Sequence, residues 1–192
     1  MLTVTSPDTD ATTERILDAA YDELLHFGVK GVSVEDIAKR VGVARITIYR
    51  RFANKDALLT AVALREGQRL LARVDAAIDK QSSLEEQLVE GFVAAFQSVR
   101  NHPIVKRTLS REPELVTALL ATPGAPIVAL PRDYLATRIA AMRADIDARA
   151  IAEVVVRLTA SFLLLPDSVI KLKTAEDLRT FARTHLVPMV TR

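Results

Sequence analysis

Basic side chains are concentrated in one short stretch of the chain, VGVARITIYRRFANK at residues 41–55. Six basic residues and no acidic residue lie between Lys39 and Lys55, whereas the first 30 residues carry six acidic side chains. In a DNA groove, arginines can read guanine edges and hydroxyl groups can bind phosphate. Because the net charge of the 192 residues is only +2, nucleic acid would have to be bound by this local patch.

The outward side chains of this stretch are the candidate DNA contacts. On a helix of about 100° per residue, Ile48 and Phe52 point inward with Val43. An outward Ile46 can then pack on thymine methyl groups in a major groove. A solvated basic face on an ordinary helical hairpin is the alternative explanation. The predicted DNA-binding residues are Arg45, Ile46, Thr47, Tyr49, Arg50, Arg51 and Lys55.

Other kinds of chemistry find little support in the sequence. There are no cysteines, the six glycines form no phosphate-binding loop, and no GxSxG motif is present. The histidines at 26, 102 and 185 lie far apart, and acidic pairs such as VEDI fall in first helical turns, where acids suit the helix dipole. We therefore expect no catalytic residue, no metal and no cofactor, and do not expect an enzyme.

The elements that must position the basic patch are helices. Apolar residues recur every three or four positions and no segment alternates strictly, which predicts an all-α fold. Ser33 with Asp36, Ser83 with Glu86, and Thr174 with Asp177 are capping signals. A loop is predicted around Pro123, Gly124 and Pro126. Helices are predicted over about 13–27, 34–41, 44–52, 54–79, from 84 to the NHP at 101–103, from 113, and over 131–145, 147–165 and 174–187.

The second and third helices have the spacing of a helix-turn-helix. Gly42 supplies the positive φ that lets two helices cross within three or four residues. The second helix carries a predicted apolar stripe at Val34, Ile37, Ala38 and Val41. The first helix carries one at Ile16, Ala20, Leu24 and Phe27, with Gly28 as its left-handed end.

The stretch SVEDIAKRVGVARITIYRRFANKDALL, preceded by RILDAAYDELLHFGVKGVS, resembles the DNA-binding domain of the TetR family of transcriptional regulators over about residues 12–60. The resemblance implies a dimeric repressor of about nine helices, in which a long fourth helix joins the helix-turn-helix to a helical effector-binding and dimerisation domain. On this basis residues 1–55 form the DNA-binding domain and residues 56–192 the second domain. A palindromic operator in double-stranded DNA is the implied partner.

The resemblance also implies roles for single residues. Tyr49 and residues 45–47 would approach bases or backbone, Arg51 would touch phosphate, and Lys55 would bind phosphate beside a helix N-terminus. Two positions depart from the family pattern. Ala44 stands where a serine or threonine N-cap is common, and Ile46 stands where the residue is usually small.

The resemblance further implies that the second domain binds a small effector, here expected to be mainly apolar, and forms a homodimer through its last two helices. The candidate effector-binding residues are Phe92, Phe96, Tyr134, Met142 and Phe162, although aromatic residues at helical spacing are also typical of a plain core. The segment AIAEVVVRLTASFLLL is apolar almost all round, which suits a helix buried by a partner subunit or the central helix of a monomer.

The surroundings of the protein can also be predicted. The apolar segment is interrupted by Glu153 and Arg157 and stopped by Pro166, so no membrane span is expected. The first residues lack the features of a secretory signal, and the lack of cysteine suits a reducing cytoplasm. A helical protein-interaction module that never touches DNA is the competing hypothesis.

Overall fold

The structure is a computed structural model that describes residues 11–122 and 126–191, without the side chains of residues 119, 120, 126 and 127. Every regular element in this part of the chain is helical, which confirms the predicted all-α fold. None of these helices is both long enough and apolar enough to cross a membrane. The helices are α1 (Ala11–Gly31), α2 (Val34–Val41), α3 (Arg45–Tyr49), α4 (Lys55–Ile78), α5 (Leu84–Asn101), α6 (Pro103–Arg111), α7 (Pro113–Ala121), α8 (Pro126–Met142), α9 (Ala148–Leu164), α10 (Ala175–Phe181) and α11 (Val187–Thr191), with a π-helical turn (Ala182–Leu186) between the last two.

The chain forms two compact units, the first ending at Arg69 and the second beginning at Leu70. The division falls inside α4, which therefore contributes to both units. Leu58 and Val62 are the buried side chains of its first part, and Val74 and Ile78 those of its second part. The expected boundary between residues 55 and 56 coincides with the start of α4 and stays a prediction.

The first unit is built on the packing of α1 against α2. The predicted stripe of α2 is buried throughout, at Val34, Ile37, Ala38 and Val41. On α1, the predicted face is buried except at Phe27, which is 56% exposed. The prediction for Phe27 was wrong because Gly28 (φ 73°) breaks the helical path directly after it, and Phe27 lies beside Gly31 instead.

Charged side chains join the helices of the first unit. Arg40 of α2 donates to the buried Glu23 of α1 at 2.9 Å. Arg65 of α4 lies within 3.1 Å of Glu14 and 2.9 Å of Asp18, both on α1. Since an unpaired buried charge is costly, these pairs disfavour separation of α1 from α2 and α4.

The second unit has its core between α5 and the C-terminal helices. Val89, Phe92 and Phe96 of α5 pack with Leu178 and Phe181 of α10. At the rim of this core the Arg179 guanidinium contacts the Glu90 carboxylate at 2.6 Å. The apolar side chains of the last helical segment are thus turned into the core of their own chain.

Three elements of the second unit differ from the prediction. The helix α6 begins at Pro103, where the NHP sequence had been interpreted only as a stop; proline is well tolerated in a first helical turn. The helix α8 begins at Pro126, five residues earlier than predicted, while Pro123 and Gly124 lie outside the described residues. The last helix is interrupted by a π-helical turn because Pro188 has no N–H to donate to the carbonyl four residues before it.

Candidate DNA-binding site

A glycine turn sets the third helix against the second. The N–H of Gly42 (φ 74°, ψ 36°) donates to the carbonyls of Ala38 and Lys39, and the Val43 N–H donates to Ala38 at 3.0 Å. At the other end of α2 the Ser33 hydroxyl accepts from the Asp36 N–H at 3.2 Å. Both ends of α2 are thus stabilised locally, which confirms the predicted helix-turn-helix.

The third helix is short and is anchored by one side chain. Ile48 is 1% exposed, as predicted for the inward face. Regular α-helix covers only Arg45–Tyr49, although the N–H groups of Arg50 and Phe52 still donate at 2.9 Å to carbonyls four residues back. The helix ends earlier than the predicted residue 52 because the chain must turn at once into α4, which Asn54 caps through the Ala57 N–H at 2.8 Å.

The seven predicted DNA-binding residues all lie on or next to α3. Ile46 is 64% exposed, the largest exposed apolar side chain of this helix. The side chains of Arg45, Arg50 and Arg51 are exposed, while those of Thr47, Tyr49 and Lys55 are half-buried. Three exposed arginines therefore accompany the exposed, apolar Ile46 on or next to α3.

Arg45 and Tyr49 are neighbours one helical turn apart. The Arg45 guanidinium donates to the Tyr49 hydroxyl at 3.0 Å and its central carbon lies 5.3 Å from the ring centre. The hydrogen bond to Tyr49 raises the pKa of Arg45 above its usual value, so the guanidinium stays charged. The pair presents one positive group and one aromatic edge in a restricted geometry.

Two further cationic side chains are held in place by α1. Arg51 donates through Nε to the Thr13 hydroxyl at 3.1 Å and through a terminal nitrogen to the Thr47 carbonyl at 3.4 Å. The Lys55 ammonium donates to the Lys30 carbonyl at 3.3 Å. As the first residue of α4, Lys55 also stands where unpaired N–H groups and the helix dipole favour an anion.

Not all six basic residues of the patch have their charge available. Lys39 lies 2.9 Å from Glu35, and Arg40 is paired with Glu23 and Asp22. Within the described residues, Arg45, Arg50 and Lys55 form no ion pair with a carboxylate. These three, together with Arg51, are the cations that lie nearest the exposed face of α3.

The residues that support the basic side chains were not predicted. Thr13 holds Arg51 from 38 positions away, and Glu23 neutralises Arg40 from 17 positions away. Neither contact leaves a periodic or local signal in the sequence, because both depend on how α1 packs. The sequence feature that could have pointed to a partner for Arg40 is the position of Glu23, one helical turn from Ala20 and from Phe27 on the apolar side of α1, where the structure buries it.

Two family models match the chain. "Bacterial regulatory proteins, tetR family" matches residues 16–62, which include α2, the turn and α3. "Bacterial Tetracyclin repressor, C-terminal domain" matches residues 84–184, more than half of the chain. The chain belongs to the TetR family. It is therefore a DNA-binding transcriptional regulator with a helix-turn-helix, and its curated TetR-family relatives are named as regulators rather than as enzymes.

Individual relatives agree with the family over nearly the whole chain. HTH-type transcriptional regulator AlkX of Mycobacterium tuberculosis is 29% identical over 181 residues, covering 90% of this chain and 85% of that protein. The crystal structure of the TetR family repressor AlkX from Dietzia sp., implicated in biodegradation of n-alkanes, is 24% identical with a TM-score of 0.65 and covers 95% of this chain and 98% of that one. FadR of Bacillus subtilis, solved with stearoyl-CoA, is 20% identical with a TM-score of 0.55, covering 93% and 97%. The two structures share the fold of this TetR-family chain.

Three of the five predicted effector-binding residues lie in the aromatic core of this TetR-family regulator. Phe92 lies 5.7 Å from Phe96 and 5.6 Å from Phe181, and Phe162 lies 5.4 Å from Phe181, between ring centres. Phe92 and Phe96 are buried and Phe162 is half-buried. Their role in effector binding stays a prediction.

The other two candidates lie on α8. The Tyr134 hydroxyl and the Arg138 guanidinium both donate to the Asp75 carboxylate of α4. Burial, and then the bond to Asp75, raise the pKa of Tyr134 to about 12, so this hydroxyl remains a donor. Met142 is half-buried at the end of α8. The polar network thus joins α4 to α8 within the second unit.

A groove on the second unit contains none of the five candidates. It has a volume of about 790 Å³ and lies among α6, α7, α8 and α9. This volume is in the usual range for a small-molecule site. Its lining residues are Lys106, Leu109, Ser110, Pro113, Thr117, Val128, Val156, Arg157, Ala160, Ser161, Leu163, Leu164, Leu165 and Pro166.

Proposed function

We propose that this TetR-family regulator binds a palindromic operator as a homodimer and is released from it by a small, mainly apolar effector. The observation that carries the proposal is α3, where a buried Ile48 fixes a helix whose exposed face carries Arg45, Ile46 and Arg50. Arginine can bind a phosphate or a guanine edge, and Ile46 can contact thymine methyl groups. Residues 1–55 act as the DNA-binding domain and residues 56–192 as the effector-binding and dimerisation domain.

The residues divide into two kinds of DNA contact. Arg45, Ile46 and Thr47 approach base edges or the DNA backbone with Tyr49 beside them, because they occupy the first turn of α3. Arg51 and Lys55 bind phosphate, since their side chains are already oriented by Thr13 and by the Lys30 carbonyl. Arg50 lies just beyond α3 and is exposed, which suits contact with a base edge or with a phosphate.

An apolar stripe on α9 supports the homodimer. Val154, Leu158 and Leu165 recur at helical spacing and are exposed, and Leu130 of α8 is exposed as well. An exposed apolar row of this kind marks an interface in soluble proteins. Since the apolar side chains of α10 and α11 are buried in their own chain, α8 takes the place of the predicted 174–187 helix in the proposed interface, and the predicted 147–165 helix, α9, keeps its role.

The release mechanism rests on α4. Lys55 is at its first residue, and Asp75, near its other end, is bound to Tyr134 and Arg138. Two recognition helices must enter major grooves about 34–36 Å apart, so a tilt of α4 spoils the spacing. A coupling of about 1 to 3 kcal/mol between effector and operator is typical of such proteins.

An apolar effector is supported by the relatives as well. The Dietzia repressor is implicated in n-alkane biodegradation, and the Bacillus FadR structure contains stearoyl-CoA. Compounds with long alkyl chains are thus named with two proteins that share this fold. A regulator of this kind meets its operator in the cytoplasm. These assignments leave no need for a protein-interaction module without DNA binding.

Selection of fragments from the source genome tests the proposal. Purified protein should enrich a small number of fragments that share one palindrome. The variant Arg50→Ala should recover them poorly while keeping the far-ultraviolet circular dichroism of the wild type. As a matched control, Arg73→Ala, an exposed arginine of the second unit, should enrich the same fragments. Uniform recovery of all fragments by the wild type at physiological salt, where non-specific binding is weak, would contradict the proposal.

A further inference from the structure

The groove among α6, α7, α8 and α9 is amphipathic. Its floor consists of half-buried apolar side chains, among them Leu109, Val128 and Val156. Its rim carries two exposed cations, Lys106 of α6 and Arg157 of α9. The described residues that line it include no carboxylate. An apolar floor with a basic rim suits a ligand that has a hydrocarbon part and a negative part.

The charge near the rim remains positive after the local ion pairs are considered. Arg157 contacts Glu153 at 2.6 Å, and Arg132 approaches the same carboxylate at 3.5 Å. The bond from Arg157 lowers the pKa of Glu153, and Arg132 is also paired with Asp133 at 2.8 Å, so these two guanidinium groups are matched by two carboxylates. Lys106 has no ion pair within the described part of the chain. A ligand anion would supply the missing partner.

The groove and the proposed dimer stripe use different faces of α9. At about 100° per residue, Val156, Ala160 and Leu163 lie roughly opposite Val154 and Leu158. The two surfaces meet only at the end of the helix, where Leu165 belongs to both. Ligand binding in the groove and dimerisation can therefore be tested with separate variants.

The groove also contacts the aromatic core. Leu163 forms part of its lining and packs against the core cluster that contains Phe92, Phe96 and Phe181. Since close-packed interiors transmit displacement, a ligand that moves Leu163 changes the packing of α5 and α10. Phe162, the neighbour of Leu163 on α9, packs against the same cluster.

We propose that this groove binds a long-chain amphipathic anion, with its alkyl chain on the apolar floor and its head group between Lys106 and Arg157. The inference rests on the proposed effector response and names the chemistry of the effector and its site. A free carboxylate and an acyl thioester with a phosphorylated carrier share this chemistry. In this arrangement Lys106 and Arg157 donate charge-assisted hydrogen bonds to the anionic head group.

Displacement of a fluorescent fatty acid tests the inference. Binding of cis-parinaric acid to the full chain is measured by its fluorescence in the wild type, Lys106→Glu, Ala160→Phe and the control Lys80→Glu, which makes the same charge change at an exposed lysine outside the groove. Lys106→Glu should weaken binding about tenfold, the size of one charge-assisted bond, and Lys80→Glu should not. Ala160→Phe should abolish binding by filling the floor.

Competitors identify the head group. Palmitate and palmitoyl-CoA should each displace the probe, the stronger one showing which anion is preferred, while neutral hexadecanol should compete equally well in the wild type and Lys106→Glu. No probe binding by the wild type, equal losses in Lys106→Glu and Lys80→Glu, or full binding by Ala160→Phe would overturn the inference. Operator binding by the ligand-free wild type is measured alongside, since its absence would refute the proposed function instead.

Discussion

At the scale of residues, the basic patch owes its geometry to contacts that differ from one arginine to the next. Arg40 is used inside the first unit, where Glu23 takes its charge. Arg51 is oriented by Thr13, and Arg45 by Tyr49. The number of cations in a sequence window therefore overstates the number that can meet a phosphate.

Replacing Ile46 should change which DNA sequence is preferred. Ile46→Ala removes the exposed apolar group of α3, and we expect discrimination at one base pair of each half-site to fall by about 1 to 3 kcal/mol. Lys55→Ala should instead weaken binding to all sequences alike. The slope of log K against log salt concentration should become smaller in magnitude by about 1 for each phosphate that the variant no longer binds. Selection from random duplexes measures the sequence preference, and titration at several salt concentrations measures the slope.

The matched control for this pair is Leu64→Ala, which truncates an exposed apolar side chain on α4 of the same unit. It should leave both the preferred sequence and the affinity unchanged. An identical consensus for the wild type and Ile46→Ala would show that Ile46 does not face the bases.

At the scale of elements, α3 lacks a side-chain cap. Ala44 has the extended backbone of an N-cap residue (φ −70°, ψ 146°) but offers no hydrogen-bond acceptor in its side chain. Ala44→Ser should therefore raise the free energy of unfolding by about 1 kcal/mol, measured by urea denaturation. Ala63→Ser, an exposed position inside α4, should lower it by a few tenths of a kcal/mol. Equal effects of the two substitutions would contradict the assigned cap.

The link between α4 and α8 should make stability depend on acid. Burial alone would raise the pKa of Asp75, but the bonds from Tyr134 and Arg138 outweigh it and lower the pKa below 3.8. Since the folded pKa is depressed, this stabilisation is present above about pH 3.8 and is lost as the pH falls through the lower folded value.

Asp75→Asn tests this link. Its urea midpoint should lie below that of the wild type at pH 6, and the difference should shrink as the pH falls below 3.8. Asp79→Asn, an exposed carboxylate one turn further along, should show no such convergence. A constant difference between the wild type and Asp75→Asn from about pH 6 to about pH 2.5 would show that Asp75 does not act as an ion.

Local signals were sufficient for most of the helices. The stripe of α2, the turn at Gly42, the cap at Asn54 and the reciprocal cap of Thr174 with Asp177 were all predicted, because each depends on residues within four positions. Phe27, α6 and the π-helical turn were missed. The exposure of Phe27 depends on the backbone break at Gly28 and on tertiary packing. Proline has two different roles in the others, as the first residue of α6 and as the residue that interrupts the last helix.

The candidate site was predictable in part for the same reason. All seven predicted DNA-binding residues lie around α3, since a short helix after a glycine turn leaves few choices. The groove was not predicted, because its lining comes from four helices between residues 106 and 166 and has no common period. The effector candidates were mainly aromatic residues, and three of the five lie in the core instead.

At the scale of the whole molecule, two copies are needed to read a palindrome. Leu158→Glu places a charge in the middle of the exposed apolar stripe of α9 and should convert the proposed dimer to a monomer in sedimentation velocity. Thr180→Glu, an exposed position on α10, should remain dimeric. A Leu158→Glu variant that sediments as the wild type does would place the interface elsewhere.

The account depends most on direct contact between the four cations near α3 and the phosphates of DNA. With Arg45, Arg50, Arg51 and Lys55 from each of two subunits, about eight phosphate contacts form, and the slope of log K against log salt should be about −7. The measurement is a titration of the selected operator by fluorescence anisotropy at several salt concentrations. A slope of about −7 agrees with a dimer bound through this surface, and a slope near zero would contradict it.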